Sequence, residues 1–454
     1  YNQFGPDNSA SDTNSGHGTH VTGIIVGNAS GDNQTLGIAP AAEVNFSQIE
    51  YDASGLLARW GTIYSMFSHS LNNQARTHSN AWGSVNQPGE YTTDSNSADS
   101  FILDQPSYLA VFASGDLGST QGATTTPPGT AKNVLTVGAS TQGSGSGQSQ
   151  SSPWSNNSGG TLDGRIKPDL VAPGGEICSA RAQEATAVPG SSCSDALHGD
   201  STTPLYFSDS GSSMATGVAT GAALLVRQHL REDFGISEPD ASLVKAILIN
   251  GASDLGQPDI PNSNEGWGQI DLMRTLNPIS DDGTALNTLM DYGHELRPGE
   301  ALVQLVEIQQ GPLDITLSWT DPEGSVNAPD SASRLINDLN LVVTSPSGTQ
   351  YAGNAFSQGF SIPSTTMDGL NNVERLRLED AESGTWVVEV RSVAGIAQNG
   401  YSLVITSDAQ WVEHADFTVL DDSLRINDDV IFEGEQLLIQ MKWRNQGNIL
   451  SESY

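Results

Sequence analysis

At 454 residues the chain is too long for one ordinary core, and two or three domains are expected. Its 18 Lys+Arg against 53 Asp+Glu give a net charge of -35, which repels nucleic acid and anionic membrane surfaces and favours solubility. No apolar run reaches the roughly 20 residues of a membrane span, no charged-then-apolar leader opens the chain, and the Asp, Asn, Ser, Thr and Gly excess suits a secreted protein in salty or calcium-containing water.

The first informative stretch is SGHGTHVTG, residues 15–23, where flanking glycines leave His17 accessible at a helix start, as a proton shuttle requires. From Val44 to Ala139 short apolar runs (VNFSQI, THSNAWG, LAVFASG, NVLTVGAS) surround a helical spacing at Trp60, Ile63, Tyr64, Phe67 and Leu71. Short runs without period-2 alternation read as strands buried on both faces, and helices between them imply a doubly wound, mostly parallel α/β sheet. FASGDLG, residues 112–118, ends a strand on Gly115-Asp116, a natural place for a side chain pointing into a cleft. Cys178 and Cys193 either close a short loop as a disulfide, contributing about 3 kcal/mol by loop entropy, or remain buried thiols. The first alternative fits an extracytoplasmic compartment.

Residues 212–230, SSMATGVATGAALLVRQHL, are small and apolar up to the first charge, as a helix through the centre of a core would be, and Ser213 stands at its start behind a glycine turn. A further helix is expected around Ser242–Asn250. Past about residue 280 the period changes: DITLSWT, NLVVTSP, TWVVEVRS and YSLVITS read as strands separated by Pro-Ser-Gly and Asn-Gly turns, an antiparallel β-sandwich or jelly roll over 285–408. From 411 to 454 a few more strands open a third module, too few to close a sandwich.

Acyl transfer to a hydroxyl needs an exposed serine at a helix start, a histidine to take its proton, donors for the oxyanion and a carboxylate orienting the histidine. HGTHVTG around His17 and GSSMA around Ser213 resemble the motifs that carry the histidine and the nucleophile in the subtilisin-like serine peptidases, the subtilases. The resemblance implies an α/β peptidase domain over 1–280. Substrate would lie extended between Ala81, Trp82 and Gly83 and the pocket-wall segment Ala113, Ser114 and Gly115, adding a strand by main-chain hydrogen bonds to both, with Asp116 at the oxyanion site. LSWTDPEG, INDLNLVVTSPSG and DGLNNVE resemble the β-barrel that follows the peptidase in the alkaline, oxidation-stable branch, and the last residues resemble the opening of an Ig-like or CARDB-type module. That branch also implies a structural calcium on Asp338, Asp368, Asn371 and Glu374, although Ala355 stands where relatives are acidic; the chemistry itself requires no cofactor.

Three departures accompany the resemblance. The family's catalytic aspartate precedes the histidine by some 30 residues or more, whereas here only Asp7 and Asp12 precede His17, and Asp12 resembles the structural acid of relatives. The orienting carboxylate is therefore expected upstream of Tyr1. Asp116 replaces the usual asparagine of the oxyanion hole; one prohormone-processing branch shares that aspartate, and it implies a slower reaction with an optimum shifted toward acid. Gly217 stands where proline is usual, a change expected to touch only the helix entry. His20 is expected to be a packed, hydrogen-bonded histidine, and Trp82 a pocket lip. The expectation is a secreted, monomeric serine endopeptidase acting on protein or peptide substrates. Its competitor is a catalytically impaired adhesin-like scaffold that binds through its β domains. An esterase of the nucleophile-elbow kind is excluded, because Ser213 lacks G-x-S-x-G and the order of His and Ser is wrong.

Overall fold

The computed structural model describes residues 2–3, 5, 9, 11–28, 35–118, 122–141, 151–186, 191–193, 205–256, 258–280, 283–309, 311–395 and 397–411, with the strands Asp416–Asp422 and Leu437–Lys442 beyond them. Asp7, His198, His414 and most of the 411–454 module lie outside the described residues.

The apolar runs without alternation form the expected parallel sheet, in the order β1 (Thr77–Asn80), β2 (Leu109–Ala113), β3 (Leu135–Ser140) and β4 (Leu170–Pro173). Every residue of β2 and β3 is buried, which is why neither alternates in sequence. Only a two-residue parallel pairing, Asn2–Gln3 with Ser47–Gln48, stands where VNFSQI suggested a longer strand.

Helix α1 (His17–Val26) opens on Gly16, whose φ of 74° is left-handed. Asp12 caps it, Oδ1 accepting the Gly16 N–H at 3.0 Å and Oδ2 the Thr19 N–H at 2.8 Å. Helix α2 (Ile63–Asn72) starts later than the spacing at Trp60 suggested. The reason is local: the Thr62 hydroxyl accepts the Ser65 N–H and fixes the first turn, leaving Trp60 outside and 64% exposed. Helix α3 (Thr93–Asp104) packs on α2, and Phe67, Phe101 and Tyr108 join in one aromatic cluster.

Helix α4 (Ser212–Glu232) crosses the sheet and touches all four strands, its small residues permitting the close approach. It also lies against α1. A Cβ at Gly217 would come within 3.0 Å of Ile24 Cγ2, so this glycine governs helix–helix contact and not merely the helix entry expected of it. Helix α5 (Ala241–Asn250) has all ten residues buried, as a helix apolar on most of its circumference must be. One side packs on α4; the other meets a second domain.

That domain consists of two antiparallel sheets. Between the parallel sheet and this domain in sequence lie β5 (Ile177–Ala180) and β6 (Tyr206–Asp209), which pair antiparallel with each other. Strands β7 (Asn287–Tyr292), β9 (Gly311–Trp319), β12 (Val373–Ala381) and β14 (Tyr401–Ser407) form one sheet in the order β7-β14-β9-β12. The other runs β11-β10-β13-β8-β15, from β8 (Ala301–Ile308), β10 (Asp338–Thr344), β11 (Gln350–Ala352), β13 (Gly384–Ala394) and β15 (Gln410–Trp411). Their inward residues, Trp319, Leu341, Trp386 and Leu403 among them, make a separate core. Helix α5 lies along β9 and β14. Asn250 donates to Thr406 Oγ1 at 2.8 Å and accepts from Thr316 at 2.9 Å, while Arg375 reaches back to the Asn250 and Trp267 carbonyls, each at 3.2 Å.

Candidate active site

A parallel sheet places the residues that follow its strands along one rim, and the cleft forms there. Ala81, Trp82 and Gly83 follow β1, and Ser114, Gly115 and Asp116 follow β2. Helix α4 begins at the same rim after Gly211, whose φ of 151° suits only glycine and where a Cβ would stand 3.0 Å from Asp116 Oδ2. Ser213 therefore emerges on the first turn of α4, where backbone N–H groups have no acceptor inside the helix and the macrodipole favours negative charge. Its Oγ donates to the Ala81 carbonyl at 3.1 Å. Neighbouring Ser212 is 1% exposed, with its Oγ accepting the Gly115 N–H at 3.2 Å. Of these two serines, only Ser213 faces the cleft.

His17 enters from the first turn of α1, half-buried. Burial lowers its pKa below the usual imidazole range, and the carboxylates of Asp209, Asp12 and Asp116, in that order, push it back up. The net result is a ring that stays neutral and can accept a proton. Asp12 exerts its charge while serving as the α1 cap, the structural part foreseen for it. Asp209, at the end of β6 and four residues before Ser213, exerts the largest raising effect and was not anticipated. Its only local signal was an acid in FSDSGSSMA; its pairing with Ile177 across β5–β6 is what carries it toward α1. Among the described residues no carboxylate hydrogen bond to the His17 ring is present.

Asp116 Oδ1 accepts the Ser212 N–H at 2.9 Å. Asp116 is exposed at the rim of the cleft; partial desolvation there raises its pKa, while hydrogen bonds from Ser212 and the charge of His17 hold it down. An ionised carboxylate here opposes an oxyanion; only the neutral acid donates to one. The 113–115 segment is internally satisfied: Ser114 N–H donates to Val137 and its carbonyl accepts Thr126 N–H, while the Gly115 carbonyl accepts Ser158 N–H at 2.9 Å. It forms a wall and, contrary to the strand pairing expected of Ala113–Gly115, offers little free backbone to a substrate. Trp82 rests edge-on against Phe112, centroids 5.6 Å apart, half-buried at the opposite wall. His20 is fully buried, stacked on Phe207, its Nε2 3.1 Å from the Ile177 carbonyl and 3.2 Å from that of Phe207, the packed histidine the sequence suggested. Cys178 and Cys193 are joined as a disulfide on β5, beside this histidine.

In the β domain, Glu374 is fully buried, with Oε2 accepting the Leu341 N–H at 2.6 Å and Oε1 without a partner. Burial, then the charges of Asp368 and Asp338, raise its pKa well above the usual carboxylate range. Asp368 is engaged by the amides of Asn354 and Asn371, whereas the Asn371 oxygen is turned to the Ile166 N–H at 2.8 Å. Asp338 and Asp368 influence Glu374 electrostatically, but among the described residues the three carboxylates do not converge as the ligands of one cation would. Asn371 is committed elsewhere.

The subtilase family profile matches residues 2–268. The Dictyostelium discoideum "Serine protease/ABC transporter B family protein tagA" is 28% identical over 491 residues, covering 86% of this chain and 27% of that protein. Its tagD counterpart is 24% identical, covering 79% and 26%. The chain spans about a quarter of the length of these curated relatives. Among solved structures, fervidolysin from Fervidobacterium pennivorans, a keratinolytic enzyme related to subtilisin, shows 17% identity and a TM-score of 0.45 over 81% of this chain and 45% of that one. The prenylagaramide maturation protease PagA shows 22% identity and a TM-score of 0.44, over 60% and 90%. None of the described helices is long and apolar enough to cross a membrane. With well over half its length matched by this one family, the chain belongs to the subtilases, a family of serine peptidases.

Proposed function

We propose that the chain is the catalytic portion of a secreted serine endopeptidase that cleaves peptide bonds through an acyl-enzyme on Ser213. The observation that carries the reading is Ser213 on the first turn of α4, facing a cleft whose imidazole, His17, is held neutral by burial. Ser213 Oγ leaves the Ala81 carbonyl and attacks the scissile carbonyl as His17 takes its proton. His17 then gives that proton to the leaving amine. The oxyanion meets the Ser213 amide and, when protonated, Asp116. An extended substrate pairs with Ala81–Gly83. The imidazole needs an orienting carboxylate that no hydrogen bond among the described residues provides, so the reading requires one from outside them. The Cys178–Cys193 disulfide supports an oxidising, extracytoplasmic location. The relatives' names pair a serine protease with an ABC transporter; the reading takes only the first activity. Intact mass after exposure of the full-length protein to a fluorophosphonate tests it: one adduct at Ser213 is expected. A folded protein that takes none would favour the scaffold alternative, which the ionisable Asp116 and the lack of a carboxylate hydrogen bond to the His17 ring among the described residues support.

Two charge changes report on the cleft. Asp116→Asn supplies a permanent oxyanion donor and is expected to raise kcat at neutral pH by about 100-fold, the lower end of the range known for a single donor in subtilisin, a member of this family. The wild type gains its donor only as pH falls through the raised Asp116 pKa, so the variant should also lose that acid preference. An unchanged rate and pH profile would remove Asp116 from the oxyanion site. Asp209→Asn removes the largest influence raising the His17 pKa, so the acid limb of kcat/KM against pH should move to lower pH. A limb that stays in place, or moves up, contradicts the assignment.

A further inference from the structure

The loop that leaves α5 carries a cluster the peptidase reading does not use. Asp254, Asp259 and Glu265 bring carboxylate oxygens within 4.8 Å of one another, and among the described residues no other group of three His, Cys, Asp or Glu side chains converges so closely. Glu265 is 1% exposed. The Asp254 side chain is 10% exposed, and neither of its buried oxygens receives a well-formed hydrogen bond, the Asp259 and Ile260 backbone amides lying nearby without closing one. The nearest cation, Arg377 Nη1 on β12, stands off at 3.8 Å, its guanidinium over the Phe360 ring at 5.1 Å. Three carboxylates thus face one distant guanidinium.

The Asn262 side chain holds the group in shape. Its Nδ2 donates to Asp259 Oδ1 at 2.7 Å and to Glu265 Oε1 at 3.0 Å, and its Oδ1 accepts the Asn264 and Glu265 amides at 2.8 and 3.1 Å. A neutral amide therefore bridges two carboxylates where a positive charge would be better placed. All the donors are oxygens, the choice of a hard cation. Calcium takes about six to eight such oxygens in a flexible geometry, whereas magnesium demands a near-ideal octahedron and keeps more of its water.

We propose that Asp254, Asp259 and Glu265 bind a calcium ion at the seam between the peptidase and β domains. Water and loop carbonyls complete its coordination. The same loop backs the cleft: the Asn264 carbonyl accepts Asn157 Nδ2 at 3.1 Å, and adjacent Ser158 binds the Gly115 carbonyl through its N–H and the Leu117 N–H through its Oγ at 3.0 Å. The ion thereby braces the wall that carries Asp116.

Calorimetric titration of the EGTA-treated, full-length protein with calcium chloride tests the site without requiring peptidase activity. Asp259 is exposed, so Asp259→Asn leaves the core intact, which circular dichroism verifies. That variant should lose one calcium site or weaken it at least tenfold, whereas Asp368→Asn, in the β domain, should keep it. Asp254→Asn should behave as Asp259→Asn does. A wild type that binds no calcium, or an Asp259→Asn protein that matches the wild type in number of ions and affinity, overturns the proposal.

Discussion

Ser213→Ala is expected to reduce peptide hydrolysis about a millionfold, on the scale known for loss of the nucleophile in subtilisin, a member of the same family. Three serines crowd this turn, at 210, 212 and 213, so the assignment is open to a direct challenge. Ser212 is buried with its hydroxyl held by the Gly115 N–H, and Ser210 Oγ accepts the Glu176 N–H at 2.8 Å. Neither points at the Ala81 carbonyl as Ser213 does. Ser212→Ala should therefore keep fluorophosphonate labelling, although the orphaned Gly115 amide lowers stability by about 1–3 kcal/mol. Ser213→Ala should lose labelling entirely while its unfolding midpoint hardly moves. Labelling that survives in Ser213→Ala and vanishes in Ser212→Ala would assign the nucleophile to the wrong neighbour.

Lys132→Met should cost about 3–5 kcal/mol of folding stability, because it strands a buried charge. Lys132 comes from the peptidase domain and is fully buried; its Nζ binds the Asp321 carboxylate and the carbonyls of Pro322 and Arg334, all from the β domain. Asp321 also accepts the Ile336 and Asn337 amides at 3.0 and 2.7 Å. Burial raises its pKa, and Lys132 is the strongest influence holding it down. Without the lysine that folded-state pKa rises further above the unfolded value. The deficit is then full at neutral pH and shrinks as pH falls and Asp321 takes up a proton. Adding Asp321→Asn should recover part of the loss. Urea unfolding of the two variants across pH measures both effects, and a Lys132→Met protein as stable as the wild type would show that the pair contributes little.

The parts of this structure visible in sequence are those encoded locally. The uninterrupted apolar runs of β2 and β3 declared strands buried on both faces, and the small residues after Ser213 declared a helix pressed against its neighbours. His17 and Ser213 stood out because their glycine settings answer a local geometric need. What escaped depends on pairing across space. Asp209 joins the cleft only through the antiparallel register of β5 and β6. Gly217 reads as a helix-entry residue until α1 is laid against it. Asp254, Asp259 and Glu265 look like ordinary loop acids until the turn around Asn262 brings them together. Trp60 misled for the opposite reason: it kept the helical spacing, but the Thr62 cap set the start of the helix beyond it.

Helix α5, enclosed on both sides, has a bearing on how this protein can be cut. A nick or a stop near residue 280 would separate the two parts in sequence, yet it would uncover the α5 face that meets β9 and β14, where Ser242 and Asn250 bind Ser402, Thr316 and Thr406, and leave Lys132 facing water. The peptidase part produced alone would thus present an uncovered, cationic scar and tend to self-associate. The same arrangement is protective against proteolysis: a cut in the connecting loop does not release the pieces, since helix, sheet and buried ion pair still hold them as one body.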